Sequence, residues 1–312
     1  MATQTLAEAA KLISNQIVQG VAEDIITTNP MWAAMPWTGY EGQAILVNRE
    51  NALGDAQHLA VGSAITAKAA ATFTQITFSA TTTIGDAEIN GLVAAQSSGA
   101  GVDQLAIEIS SKAKSVGRLL QTGIASGTGV SPQLNSLHTL CDAGQFTNAS
   151  AGQAISLILL DQLLDLVKSK DGQVDWIMMP ARTLRAYKAA VRVLGGITET
   201  MVFTMPNGTS RNVSVYEGVP IFQNDYLSVA ETANGAALTG GALTSVYAGC
   251  WDDGSNKVGV SMIHPIAVPA GIQIEQVGVA ETKDEVITRV KSYSNFASFN
   301  RKGIARLTSI NN

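Results

Sequence analysis

The stretch AISLILLDQLLDLVKSKDGQVDWIMMPARTLRAYKAAVRVLGG, residues 154–196, alternates periods in a way that leaves few folds open. Over 154–170, Leu and Ile recur on one face at three- and four-residue steps, which predicts an amphipathic helix. Asp171-Gly172 then turns the chain, and Val174–Met179 is a short, almost wholly apolar run of strand length. Pro180 opens a second helix, and Gly195-Gly196 stands where left-handed caps close helices. A helix–strand–helix unit of this kind packs helices against a sheet, so the chain is of mixed α and β type.

Upstream, Leu105, Ile109, Ala113, Val116 and Leu120 form an apolar stripe that predicts a helix over 103–125. Its charges run from Asp103 and Glu108 to Lys112, Lys114 and Arg118, the order the helix dipole favours. At 1.5 Å per residue it would be about 35 Å long, enough to act as the spine of a domain. Before it, residues 43–50 (QAILVNRE) and 72–79 (TFTQITFS) have strand composition, with Ile76 and Phe78 on one face. The intervening residues, 51–71, have no period, and a structureless loop of this length inside a compact domain is usually functional. MWAAMPWTGY at 31–40 is an apolar knot that is either core or a docking plug for another subunit. Thr5 to Glu8 match a capping box, predicting a helix that stops before Thr27 to Pro30.

Downstream, Met201–Thr204 and Arg211–Tyr216 read as a hairpin around Pro206-Asn207-Gly208, followed by strands at 219–222 and 243–250. Asp252 to Ser255 predict a second hairpin turn into 257–263. GIQIEQVGV at 271–279 and VITRVKSY at 286–293 are further strands; Val286, Thr288, Val290 and Ser292 share one face of the second. A short closing segment, 296–310, ends the chain.

Composition narrows the function. Of 312 residues, 20 are Lys or Arg and 25 are Asp or Glu, only 14% charged, against about 25% in ordinary globular proteins. A membrane span does not explain this, because uncharged stretches such as 232–251 are broken by Gly, Asn, Thr and Ser. No secretory signal opens the chain, and a mean hydropathy of +0.17 is too apolar for a disordered protein. Interface cores are depleted in charge, so a surface spent on neighbouring copies accounts for the deficit; an Ala-rich monomer is the plainer alternative. A net charge of −5 without a basic stripe argues against sequence-specific nucleic-acid binding.

The motifs of catalysis are not assembled. His58, His138 and His264 are scattered, and Cys141 and Cys250 lie far apart and read as buried thiols. Gly127 and Gly129 follow a helix, with Pro132 where a dinucleotide fingerprint needs its third glycine. Asp252 to Asn256 resemble a calcium loop but lack the closing Glu. The N-x-S/T triplets at Asn148, Asn207 and Asn212 are chance without a secretory signal. Glu281, Asp284 and Glu285 beside Lys283 suit a solvated turn or a subunit salt bridge.

The order of these elements resembles the Hong Kong 97-like tailed-phage major capsid proteins over essentially the whole chain. Its most telling stretches are 171–190, 216–227 (YEGVPIFQNDYL), 244–262 (TSVYAGCWDDGSNKVGVSM) and 286–307 (VITRVKSYSNFASFNRKGIARL). The resemblance implies an α+β capsid fold: an N-terminal arm at 1–38, an extended β-hairpin loop at 39–79, a peripheral domain from 80–140 and 260–312, and an axial α/β domain at 141–259. It implies a non-enzymatic subunit, without metal or cofactor, that forms pentamers and hexamers of an icosahedral head in the virion, assembled in the bacterial host cytoplasm. The expected partners are copies of itself, a portal, a decoration protein, a scaffolding protein separate from this chain, and packaged double-stranded DNA contacted non-specifically, with no membrane. The candidate interface residues are Met31, Trp32, Trp37, Tyr40, Arg49, Glu50, Asp55, Lys68, Phe73 and Phe78. Lys68, Asn295 and Asn300 match no cross-linking motif. An encapsulin shell, sharing the fold, and a soluble α/β enzyme are the alternatives.

Overall fold

In a computed structural model, residues 34–99, 104–168, 173–204 and 210–311 are described. The helix expected before Thr27, and the candidates Met31 and Trp32, lie outside them. The described chain opens with β1 (Trp37–Tyr40) and a pair of strands, β2 (Ile45–Ala52) and β3 (Thr72–Phe78). β4 (Thr81–Asn90) leads to α1 (Gly91–Gly99) and the long α2 (Gln104–Ser126). After the short α3 (Leu137–Leu140) come β5 (Phe146–Gln153), α4 (Leu157–Lys168), β6 (Trp176–Met179) and α5 (Ala181–Val193). Then follow β7 (Thr200–Thr204), β8 (Ser210–Tyr216), β9 (Val219–Gln223) and β10 (Thr244–Gly249). The last strands are β11 (Val260–Pro265), β12 (Gln273–Val279), β13 (Glu285–Ser298) and β14 (Ile304–Ile310).

A seven-stranded sheet in the order β5-β14-β10-β6-β9-β8-β7 carries the middle of the chain. Every residue of β6 is buried, because both faces of this sheet are covered. Ile177 and Met179 point toward α4 and α5, joining Leu160, Leu163, Leu164, Leu184 and Tyr187. Trp176 and Met178 alternate to the other face, where Tyr247, Phe222, Ile124, Met262 and Phe296 surround them. That double burial is why the strand reads as a continuous apolar run rather than an alternating one.

The second sheet is built on the 14-residue β13, which pairs with β4 along one edge from Glu285↔Asn90 to Ser294↔Thr81. Its other edge carries β12 and then β11, with β1 beyond in parallel. Thr288, Val290, Ser292 and Ser294 are buried, as the period of two predicts. On that side lies α2, whose Ala113, Val116 and Leu120 meet Val290. The small residues of β13 and β4 let this 23-residue helix lie close against them.

Three expectations are corrected. The loop after Trp251 is not a hairpin tip: β10 and β11 belong to different sheets, and Trp251 meets Val260 in an isolated parallel bridge. Asp252 Oδ2 and Asp253 Oδ1 accept the amides of Gly254 and Ser255, so these carboxylates hold a crossover between sheets. Second, β14 runs inside the seven-stranded sheet, between β5 and β10, rather than with the rest of 260–312 beside α2. Third, α2 has nearly the expected extent, but its last turn holds no basic residue, so Lys112, Lys114 and Arg118 stand well before its end and gain little from the dipole. No helix among the described residues is long and apolar enough to cross a membrane.

Candidate assembly surface

The part of the chain that its own core does not account for is the hairpin of β2 and β3. The two strands pair antiparallel from Ile45↔Phe78 to Ala52↔Thr72. At the base one face is used internally: Val47 and Phe78 pack with Tyr40, Ile263, Ala297 and Phe299. Arg49 is the anchor. Its guanidinium donates to the carbonyls of Phe299 (3.2 Å) and Ser298 and pairs with Asp142 Oδ2 at 3.4 Å. Burial pushes the Arg49 pKa below its ordinary value, while Asp142 opposes that shift. Arg301 shares the same carboxylate at 3.1 Å. One buried side chain thus ties the hairpin to the turn between β13 and β14.

Beyond this anchor the character changes. On the other face Leu46 and Phe73 are 61% and 66% exposed. The connecting residues, 53–71, hold no regular structure, and their shape rests on a few polar contacts. Gln57 Oε1 accepts the amides of Thr66 (2.9 Å) and Ala67 (2.7 Å), and the Asp55 amide donates to Ala69 at 3.0 Å. Leu53, Leu59, Val61 and Ile65 all stand in solvent, Val61 completely. Burying one such side chain is worth about 1.5–3 kcal/mol, so four of them exposed on one loop have a strong incentive to be covered. Glu50, Asp55 and Lys68 are exposed beside it and make no ion pair among the described residues.

Elsewhere several titratable groups are buried in the fold. Cys141 and Cys250 are buried and free, and burial raises their thiols to about 12 and about 11. Burial, aided by Arg306, lowers His138 to about 4. The His264 ring lies 6.2 Å from that of Trp37, with Nδ1 2.9 Å from the Val268 carbonyl, and His58 is exposed on the loop. Among the described residues no cluster of three His, Cys, Asp or Glu side chains could hold a metal.

No family profile and no curated sequence matches the chain. Solved structures do. The SrpI encapsulin of Synechococcus elongatus superposes with a TM-score of 0.68 at 14% identity, over 100% of this chain and 92% of that one. The capsid of a native GTA particle gives 0.60 at 11% identity, over 99% and 92%. The capsid of Myoviridae phage XM1 gives 0.57 at 12%, over 90% and 91%. The chain has a Hong Kong 97-like fold. At these identities it is the architecture that is shared, and the proteins compared are structural components of shells.

In this Hong Kong 97-like fold the sequence-derived interface candidates divide. Trp37, half-buried in a core cluster, Tyr40, which accepts the Ala80 amide at 3.0 Å, Phe78 and Arg49 all serve their own chain. Within its own chain Arg49 donates to Ser298, Phe299 and Asp142. Glu50, Asp55, Lys68 and Phe73 do face solvent. Leu46, Leu53, Leu59, Val61 and Ile65 were not singled out by sequence. The available signal was a Leu, Val or Ile every two to six residues in a stretch without a period.

Proposed function

We propose that this chain is a self-assembling shell subunit, the major capsid protein of a tailed-phage head, whose pentamers and hexamers enclose double-stranded DNA. The observation that carries the reading is the exposed apolar hairpin loop at 53–71, anchored at its base and bare beyond it. In a monomer such a loop is a solubility hazard, whereas laid over a neighbouring copy it becomes buried area. In this reading 1–38 is the arm and 39–79 the extended loop. The peripheral unit combines 80–140 with 260–303, and the axial unit combines 141–259 with β14. Scaffolding, portal and decoration proteins are partners of this reading, and the virion is its location.

A second reading, an encapsulin compartment, is favoured by the full-length likeness to the Synechococcus protein. Electron microscopy of the purified chain, with absorbance at 260 nm, tests both. Closed icosahedral particles containing nucleic acid support the phage head. Nucleic-acid-free shells that co-purify with one protein cargo support the compartment, and a chain that stays monomeric at high concentration overturns both.

A further inference from the structure

In a charge-poor chain, α5 stands out. Its 13 residues hold Arg182, Arg185, Lys188 and Arg192 and no acid, four of the chain's 20 cations. Thr183, Leu184 and Tyr187 face the core, and exposed Arg185, half-buried Lys188 and exposed Arg192 follow one another away from it at steps of three and four. None of the three makes an ion pair among the described residues. Arg182, at the flank, donates to the Ala242 carbonyl at 3.0 Å.

In the same layer α4 presents the opposite pattern. Its Leu159, Leu160, Leu163, Leu164 and Val167 are buried, leaving Ile158, Asp161, Gln162 and Asp165 outward. Asp161 is exposed and accepts the Tyr216 hydroxyl; neither Asp161 nor Asp165 is in an ion pair among the described residues. The one cation of α4, Lys168, is taken by Glu217 at 3.0 Å. Each helix therefore carries like charges at i, i+3 or i+4, which repel one another within the helix and gain from an opposite stripe outside it. Each also offers apolar area at one end, Ile158 on α4 and Val193 and Leu194 at the close of α5.

We propose that the acidic face of α4 in one copy docks on the basic face of α5 in the next, so that these helices set the handedness and register of the ring. The proposal rests on the shell reading and names the contact that reading leaves open. The two faces are different patches of one chain; where each copy gives its acidic face to one neighbour and its basic face to another, the contact repeats head to tail, the arrangement that closes into rings. Exposed charges of this kind govern encounter and register and weaken with salt.

The test compares wild type with Arg185→Glu/Arg192→Glu, with Asp165→Lys, and with all three changes combined, measuring the concentration at which particles form across a salt series. The expected result is a rise of tenfold or more for each partial variant, a return to within about threefold of wild type for the combination, and convergence of all four at high salt. Circular dichroism and thermal melting of the unassembled chains check folding, which exposed substitutions should leave unchanged. Assembly of Arg185→Glu/Arg192→Glu at the wild-type concentration overturns the proposal. If those particles also lose nucleic acid, the basic face serves phosphate instead. A wild-type chain that never assembles overturns the shell reading and this contact with it.

Discussion

Arg306 and Glu231 show how one residue pair can govern a region. Their side chains are 3% and 2% exposed, and Arg306 Nη2 lies 3.0 Å from Glu231 Oε2. Arg306 Nε donates to Ser245 at 3.0 Å, and the Ser245 hydroxyl donates in turn to Glu231. The pair pins residues 231–243 to β14, and Gly235, at φ +61°, leaves room for it: a Cβ there would meet Arg306 Nη2 at 2.0 Å. Burial raises the Glu231 carboxyl above its ordinary value, and Arg306 opposes the shift. Arg306→Met should therefore cost about 3–5 kcal/mol by leaving a buried charge unpaired. Because Glu231 then binds its proton more tightly folded than unfolded, stability should fall as pH rises. Denaturant melts at pH 5 and pH 8 should show the larger loss at pH 8, and Glu231→Leu in the same chain should recover most of it. Sequence does not display this pair: Arg306 lies in the closing segment 296–310, which has no assigned element, and its partner lies 75 residues away.

At the scale of elements, what could be read was what has a strong period. α2, α4 and α5 show apolar stripes, β6 a wholly apolar run, and β2, β3, β12 and β13 β-branched or aromatic alternation. β4 shows little period because two of its buried positions are small or polar, Thr83 and Ala87 in TTTIGDAEIN, and the described residues of β5 and α1 bury no side chain fully. β14 was passed over as a closing segment because its place depends on strands far away in sequence. The hairpin was legible as two strands, but its anchor was not, since Arg49 meets carbonyls some 250 residues distant. Arg49→Ala leaves those carbonyls unpaired, a loss of about 1–3 kcal/mol. Amides of β2 and β3 should then exchange tenfold faster or more, while those of α4 and β6 keep their protection; uniform acceleration would show instead that the hairpin is part of the global core.

For the molecule as a whole, the low charge acquires a location. Residues 1–111 contain only Lys11, Arg49 and Lys68 as cations, and of these Arg49 is buried while Lys68 stands on the exposed apolar loop. On α5 the charge is all of one sign, and on α4 the unpaired charges are both acidic. Both features have a use in the proposed subunit that meets copies of itself. Amide hydrogen exchange of residues 53–71, compared between free subunits and assembled particles, tests this most directly. The account predicts rapid exchange in the free chain, where these amides have few partners, and strong protection on assembly. Equally rapid exchange in both states would contradict it.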